Sequence, residues 1–452
     1  MKIRHAHVIA AFALCCANPA LAQSTARSAL IQQFVNQGAQ IRDAANGTIL
    51  TPASSLSRPE DLGLRAHTNI KIFVPAVLPS GPVTPKNTPP YSGYYFETPA
   101  SLACGYDLVT PASGCNTDTF TTNDTGGSKA IGIVDAYNDP TVRADLTAYS
   151  TKFGLPAITT SNFIIWYCGT TVASCNQTTA PANNSGWSGE IALDVEMAHA
   201  LAPSATIYLV EAASNSLANL MVAEDKASAL VAAAGGGEVS NSWATSEFST
   251  ETSYDTNFTT STVVYFAASG DAPGTVYPCV STYVVCVGGI SFSRNSSGSL
   301  IGLATWDEAG GGSSTYISRP SYQPSSVGSQ RGVPDISADA NPETGVWVYC
   351  SATACGSGPW WIFGGTSVAT PSVAAIINKA GSFKANTAAE LTLVYTDLAS
   401  SSAYAADWYD VKQGYCGPGV GNSDASEYVS IWAATGYDFC SGVGAPYTTG
   451  GK

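Results

Sequence analysis

The sequence predicts an α/β protein in which a parallel β-sheet is covered by helices on both faces. From Lys129 to about residue 270, continuously apolar strands alternate with helical segments, which is the pattern of buried parallel strands joined by crossover helices. The chain of 452 residues is 45% hydrophobic, which is enough for one large core or two modest ones. Ligand and catalytic sites in such sheets gather at the carboxyl ends of the strands.

The predicted elements follow one another in regular order. The first is an apolar strand, KAIGIVDAY, followed by Asp139 and Pro140, a good N-cap and first-turn pair for a helix that continues to Phe153. The remaining predicted strands lie near 163–167, from 206, at 238–243 and at 263–270, and the remaining helices at about 188–201, 217–234 and 249–260. The sequence shows no internal repeat.

The first 22 residues have the features of a secretory signal peptide. Lys2 and Arg4 precede an apolar run, and Ala20-Leu21-Ala22 offers a small-residue cleavage site before Gln23. We therefore predict a secreted protein, released to the medium or to a periplasm, with no transmembrane segment in its mature part.

Residues 23–92 differ in composition from the remainder of the chain. They hold an amphipathic stretch near 29–41 and then a proline-rich run from Pro82 to Pro90 that is typical of a linker. We predict a short N-terminal extension outside the domain, or a shortened propeptide, over 23–92 and the main domain over 93–452.

Charge and cysteine content exclude several kinds of partner and cofactor. The formal net charge of −14 makes nucleic acid and anionic membranes poor partners. Ten cysteines remain after the signal segment, an even number that favours disulfides in an exported chain, and pairing of near neighbours is the simplest arrangement. Zinc is disfavoured, because that part of the chain has only His67 and His199 and no CxxC pair.

A candidate nucleophile lies in the segment GGTSVATP. Ser367 follows two glycines and a threonine at the start of a predicted buried helix, where backbone N–H groups and the helix dipole favour an attacking oxygen. The segment lacks the final glycine of the GxSxG turn of α/β-hydrolases. On position alone, an ordinary helix cap is the better explanation of Ser367.

A nucleophilic serine needs a base, and two carboxylates offer one. Glu190 and Asp194 are four residues apart and share one face of a predicted helix, where repulsion favours a shared proton. Asp194 could then orient Glu190 as aspartate orients histidine in other serine peptidases. Alternatively, the pair is a solvated acidic helix end. His67 and His199 are both interpreted as structural, and no HExxH motif is present.

Asp271 ends the strand YFAASG, where a parallel sheet presents side chains to the site. When protonated, it could donate a hydrogen bond to an oxyanion, although aspartates before alanine and proline are also common in turns. Asp135 ends an earlier strand and is interpreted as structural or as a support to the site.

Together these segments resemble the sedolisin family of serine-carboxyl peptidases. The resemblance spans most of residues 93–452 and implies a subtilisin-like fold with a parallel sheet between helices. It also implies Ser367 as nucleophile, Glu190 as its base, Asp194 as the residue that supports Glu190, and Asp271 as oxyanion donor. The matching motifs, in family order, are GIVDAYNDP, GEIALDVEMAHALAPSATI, VSNSWATSE, AASGD, YPCVSTYVVCVGGISF, RGVPDISADANPETG and GGTSVATP.

The resemblance also implies one structural calcium ion near the C-terminus. Asp410 and Asp438 would supply carboxylates, while Val411, Ala434 and Gly436 would supply carbonyl oxygens. Oxygen ligands from two loops suit a hard cation. Ala434 stands where the family usually has a glycine.

The predicted function is therefore that of a secreted serine endopeptidase that acts on proteins or peptides at acidic pH, as a monomer. The first alternative is a catalytically inactive homologue that uses the same fold for binding. The second is a subtilisin-type Asp-His-Ser peptidase that uses Asp135 and His199 and has a neutral pH optimum.

Overall fold

The computed structural model describes residues 19–356, 358–417 and 431–452. Residues 1–18 of the predicted signal peptide lie outside them. The N-terminal part holds α1 (Pro19–Asn36), β1 (Gln40–Ala44), β2 (Gly47–Thr51), β3 (His67–Thr68) and β4 (Lys71–Pro75). The central part holds α2 (Pro99–Gly105), β5 (Ala130–Ala136), α3 (Val142–Phe153), β6 (Phe163–Tyr167), α4 (Ser185–Leu201), β7 (Thr206–Ala212), α5 (Leu217–Ala233), β8 (Gly237–Asn241), β9 (Trp243–Ser246) and β10 (Val263–Ala268).

The C-terminal part contributes the remaining strands and helices. These are β11 (Val276–Tyr277), β12 (Val285–Arg294), β13 (Leu300–Thr305), β14 (Gly312–Ser318), β15 (Gln330–Val333), β16 (Ile336–Asp339), β17 (Val346–Tyr349), β18 (Trp360–Gly364), α6 (Thr366–Ala380), α7 (Thr387–Ala399), α8 (Ser401–Asp407), β19 (Trp408–Tyr409), β20 (Tyr415–Cys416), β21 (Ile431–Trp432) and β22 (Ala445–Pro446).

The main sheet confirms the predicted α/β fold. Its strands run in the order β13-β12-β10-β8-β5-β7-β6, with β16 paired to β12, and every pair is parallel except β12 with β13. All seven residues of the central strand β5 are buried, as expected for a strand covered on both faces. Helices α4 and α6 pack against each other on one face, and α5 covers β5 and β7 on the other.

Residues 40–75 of the predicted N-terminal extension contribute three strands to a second sheet. It is antiparallel, with the order β1-β2-β4-β18-β17, so residues 40–75 pair with strands from 346–364. All five residues of β4 are buried, and Lys71 lies opposite Gly364, directly before α6. Residues 40–75 were predicted only as part of an N-terminal extension, because short strands that pair across so large a sequence separation leave little local signal. The domain boundary at residue 92 stays a prediction.

The amphipathic stretch at 29–41 is divided between α1 and β1. Two predicted elements differ in extent from the structure. The predicted helix at 249–260 is a 3-10 helix over Glu251–Phe258. The strand predicted at 238–243 is interrupted at Ser242, which lies between β8 and β9. That break places the Ser242 backbone in the cleft described below.

The five disulfides join near neighbours, as predicted. They are Cys104–Cys115, Cys168–Cys175, Cys279–Cys286, Cys350–Cys355 and Cys416–Cys440. Among residues 19–356, 358–417 and 431–452, no helix combines the length and apolar character that a membrane span requires.

Candidate active site

The candidate nucleophile lies in the first turn of α6. Gly365 joins strand β18 to α6, and its φ of 106° is a conformation that favours glycine. Ser367 is the second residue of the helix. Glycine is also required by space, because a Cβ at Gly365 would lie 2.1 Å from the carbonyl oxygen of Asn69. Ser367 is fully buried, and its hydroxyl donates to the Ser242 carbonyl at 3.1 Å.

Helix α4 brings the two predicted carboxylates to this serine. It packs directly on α6, and Glu190 and Asp194 face the interface one turn apart, both fully buried. Burial and the charges of Asp135 and Asp271 raise the pKa of Glu190 well above its usual value, against the lowering effect of the nearby Ser367 hydroxyl. Asp194 accepts a hydrogen bond from the Ser242 hydroxyl at 2.9 Å.

Asp135 is a third buried carboxyl group beside this pair. Burial raises its pKa to about 8, and its charge is the largest electrostatic cause that raises the pKa values of Glu190 and Asp194. Neither Asp135 oxygen has a hydrogen-bond partner among the described residues. Three acids this close cannot all ionise, so the cluster holds protons well above the usual carboxyl range. The sequence had suggested a structural or supporting role for Asp135, and its position beside the pair agrees with support.

Asp271 links β10 to the start of α6. Its Oδ1 accepts hydrogen bonds from the backbone N–H and the hydroxyl of Thr366, at 2.7 and 2.9 Å. Its Oδ2 has no hydrogen-bond partner in the part of the chain that the structure describes, and it lies beside Gly365. Burial raises the pKa of Asp271 to about 7, against the lowering effect of Lys71 and of the Thr366 hydrogen bonds. A protonated Oδ2 could therefore act as a hydrogen-bond donor at acidic pH.

The N-terminal segment crosses the cleft over these groups. Strand β3 pairs antiparallel with β9, so that His67 lies opposite Ala244 and Thr68 opposite Trp243. The next residue, Asn69, accepts a hydrogen bond at its carbonyl oxygen from the Ser367 N–H at 3.1 Å. Its own N–H donates to Glu190 Oε2 at 3.3 Å. The chain itself therefore occupies the edge of β9 beside the nucleophile.

Sequence reasoning missed two residues that the structure places at the centre of the site. The Ser242 carbonyl accepts from both the Ser367 hydroxyl and the Asn69 side-chain amide, the latter at 2.9 Å, while its own hydroxyl holds Asp194. Asn69 contacts both the nucleophile and Glu190. The only available signal was the polar run VSNSW inside an otherwise apolar strand pattern; Asn69 lay in a segment interpreted as linker-like.

Neither histidine takes the place of the base. His199 lies on α4 nine residues after Glu190, about 13 Å along the helix axis, and its Nε2 pairs with the Pro156 carbonyl at 3.1 Å. Burial lowers the pKa of His199 to about 4. His67 pairs through Nδ1 with the Thr68 carbonyl at 3.0 Å. The geometry therefore favours Glu190 over the Asp135–His199 alternative.

The predicted calcium ligands lie on two adjoining C-terminal loops. Gly436 donates its N–H to Asp410 Oδ1 at 3.0 Å, and Ala434 donates its N–H to Asp438 Oδ2 at 3.0 Å. Asp438 is also fixed by the N–H groups of Cys440 and Ser441, each at 2.8 Å. The two carboxylates are of the ligand type that a hard cation takes, and each has lone pairs beyond those that these bonds use.

Sequence comparisons found two known proteins that are similar to this chain. No family model matches the chain. It is 27% identical over 303 residues to kumamolisin from Bacillus sp. (strain MN-32), an alignment that covers 60% of this chain and 51% of that protein. It is 28% identical over 171 residues to sedolisin from Pseudomonas sp. (strain 101), covering 35% of this chain and 28% of that protein. The chain thus matches about half or less of the length of these relatives.

The fold is similar to that of a solved relative. The structure of Pseudomonas sedolisin, a serine-carboxyl proteinase complexed with two molecules of pseudo-iodotyrostatin, superimposes with a TM-score of 0.61 at 21% identity. The match covers 78% of this chain and 95% of that one, so the two share one architecture over most of their length.

Proposed function

We propose that this chain is a serine-carboxyl peptidase of the sedolisin family, to whose members kumamolisin and sedolisin it is similar, and that it hydrolyses peptide bonds through an acyl-enzyme on Ser367. The observation that carries the proposal is that the Asn69 backbone contacts both Ser367 and Glu190: its carbonyl accepts from the Ser367 N–H, and its N–H donates to Glu190 Oε2. Asp271 Oδ2 lies beside Gly365, at the start of the helix that carries Ser367. Nucleophile, base and oxyanion donors thus converge on one point.

In the proposed reaction, Glu190 takes the proton of Ser367 as Oγ bonds to the substrate carbonyl carbon. The oxyanion that forms is held by the Ser367 N–H and by neutral Asp271. The C–N bond then breaks, and the leaving amine receives the proton from Glu190. Water repeats the sequence on the acyl-enzyme, regenerates Ser367 and releases the new carboxyl group. Asp135 and Asp194 are like-charged neighbours of Glu190, and their protonation tunes its basicity.

The site is closed in this structure, and an active form requires the cleft to open. The Asn69 carbonyl accepts the hydrogen bond of the Ser367 N–H, which the oxyanion would need. Glu190 is fully buried. Because burial is the largest cause of the raised pKa of Glu190, the covered site holds a protonated base. Displacement of the segment from His67 to Asn69 would hydrate Glu190, lower its pKa and restore a proton acceptor at acidic pH.

The substrates that we propose are proteins or peptides bound in extended form. The pairing of β3 with β9 supports this, because His67 and Thr68 show that the cleft accepts an extended chain beside the nucleophile. The related Pseudomonas sedolisin was solved with pseudo-iodotyrostatin, which makes that compound a useful probe of this cleft. Five disulfides support our proposal that the protein is exported.

The Asp271→Asn variant tests the oxyanion role and the pH dependence together. Asparagine donates a hydrogen bond at any pH but more weakly than a neutral acid, so we expect kcat to fall roughly 10²-fold at the acidic optimum. Since Asp271 has a pKa of about 7 and must be neutral, wild-type activity should fade as the pH rises through that value. In Asp271→Asn this alkaline decline should disappear.

The measurement is the rate of hydrolysis of an unfolded protein from acidic to neutral pH, with Asp255→Asn as control. Asp255 is a partly buried aspartate with a raised pKa, and it is held by Ser281 and Tyr277 outside the cleft. An alkaline limb that survives unchanged in Asp271→Asn would contradict the oxyanion assignment.

We also propose that one Ca²⁺ ion joins the two C-terminal loops through Asp410, Asp438 and the carbonyl oxygens of Val411, Ala434 and Gly436. When bound, it would offset the negative charge of the two carboxylates. Chelation should therefore lower the thermal unfolding midpoint by several degrees, because metal that binds only the folded state stabilises it by mass action.

The test compares unfolding midpoints with added calcium and with a chelator for wild type and Asp438→Asn. We expect the calcium-dependent difference to vanish in the variant. Asp407→Asn, on the adjacent helix α8, serves as control and should keep the difference. Equal midpoints with and without calcium in the wild type would exclude the site.

A further inference from the structure

A lysine from the N-terminal part of the chain lies in the same cavity as Asp271. The cavity, of about 620 Å³, is lined by Lys71, Asn69, Asp271, Glu247 and Thr275 among others. Lys71 is nearly buried, and its Nζ lies 3.0 Å from Thr51 Oγ1 and 3.3 Å from Glu308 Oε2. A buried ammonium group in a cleft wall is costly unless charged partners compensate it.

Lys71 is held in place by the sheet that leads to the nucleophile. It begins β4, whose central position between β2 and β18 ties it to the catalytic half of the molecule. Loss of β4 would leave the backbone groups of Gly364 and Phe363 without their strand partner, directly before Ser367. The segment from His67 to Asn69 can leave the cleft while β2, β4 and β18 stay paired, so Lys71 and its partners Thr51 and Glu308 belong to the open form as well.

The groups that affect the protonation of Asp271 lie in four parts of the fold. Lys71 on β4 lowers the pKa of Asp271, and Glu308, in the loop after β13, raises it. Thr366 at the start of α6 donates two hydrogen bonds that favour the ionised form, and Glu190 on α4 repels it. Glu308 itself pairs with Arg42 on β1 at 2.7 Å, so that the Lys71–Glu308 contact is part of a three-residue charge chain.

We propose that Lys71 is a positioning residue of the peptidase site: its ammonium group, balanced by Glu308, sets the proportion of charged and neutral Asp271 and thereby the upper pH limit of hydrolysis. The proposal rests on the proposed function, in which neutral Asp271 is an oxyanion donor. Lys71 touches no reacting atom and acts only through Asp271.

The test uses two substitutions with opposite expected effects. Lys71→Met removes the positive charge while keeping the apolar stem, so Asp271 stays neutral to higher pH and the alkaline midpoint of kcat should rise by roughly one pH unit. Glu308→Gln removes the negative charge that restrains Lys71, and the midpoint should fall by roughly as much. Lys71→Arg should restore the wild-type midpoint, because the charge is retained.

A matched control is Lys379→Met, since Lys379 is also a largely buried lysine paired with an acid, Asp124, at a distance from the cleft. It should leave the midpoint unchanged even if it lowers stability. Infrared titration of the carboxyl band, assigned by its loss in Asp271→Asn, gives the protonation of Asp271 directly and is needed where a Lys71 variant is too weak to assay. Both readouts should shift together.

Three results would overturn the proposal: midpoints that do not move in active Lys71→Met and Glu308→Gln enzymes, both midpoints moving in the same direction, or active wild-type enzyme whose intact mass shows that residue 71 has been removed. Absence of hydrolysis in the wild type at every pH is a different outcome and would reject the proposed function itself.

Discussion

Replacing Ser367 with alanine should abolish hydrolysis of an unfolded protein near the acidic optimum, with a loss on the order of 10⁴-fold or more. No other group on the cleft side of α6 can form the acyl-enzyme, since Thr366 is committed to Asp271 through both its N–H and its hydroxyl. The substitution removes one oxygen and its contacts with Ser242 and Glu190, while alanine suits the first turn of a helix. The fold should therefore persist.

The matched control is Ser372→Ala on the same helix. Ser372 is also buried, and its hydroxyl donates to the Val368 carbonyl at 2.7 Å inside the helix and away from the cleft. It should keep nearly full activity. Initial rates at about pH 4, together with circular dichroism and unfolding midpoints, separate loss of chemistry from loss of structure. Substantial hydrolysis by Ser367→Ala would remove the nucleophile assignment.

Wild type and Ser367→Ala together also test whether self-cleavage opens the cleft. If the enzyme cleaves its own N-terminal part, wild-type material should begin at a later residue than Ser367→Ala material produced in the same host. Identical N-termini would show that any trimming is due to host proteases or that opening needs no cleavage. The measurement is N-terminal sequencing with intact mass.

Sequence was sufficient for the parallel sheet because each strand carries its own signal. The apolar runs that became β5, β7 and β10 are buried on both faces and need no partner to be recognised. Scarcity of histidine and a one-turn spacing of acids, both visible in the sequence, drew attention to Ser367, Glu190 and Asp194, whereas the roles of these residues and of Asp271 were implied by the family resemblance. The structure brings these four residues to one cleft.

What sequence could not supply are contacts made across large separations. β4 pairs with β18 from the far end of the chain, and nothing local to KIFVP predicts that partner. The positions of Asn69 and Ser242 depend on a break between two strands and on a crossing segment, which are tertiary features. The charge balance at Asp271 likewise depends on Lys71 and Glu308, more than two hundred residues apart in sequence.

Replacing Glu190 with glutamine should lower kcat by roughly 10²- to 10⁴-fold, the range expected when a general base is lost. Glutamine has nearly the same shape, and its side-chain oxygen can still accept the Asn69 N–H, but it cannot take the Ser367 proton. Burial already favours a neutral side chain at this position, so the variant should be at least as stable as wild type at neutral pH. Activity and stability should therefore move in opposite directions.

The control for Glu190→Gln is Glu196→Gln, six residues further along α4. Glu196 is equally buried, burial raises its pKa well above the usual value, and it accepts the Tyr349 N–H at 3.0 Å instead of facing Ser367. Both variants remove a buried acid from one helix, yet only Glu190→Gln removes the proton acceptor of the nucleophile. His199→Ala should also retain activity. If Glu196→Gln or His199→Ala matched the loss in Glu190→Gln, the base would be elsewhere, and if Glu190→Gln kept wild-type kcat, this chain would not use a carboxylate to activate its serine.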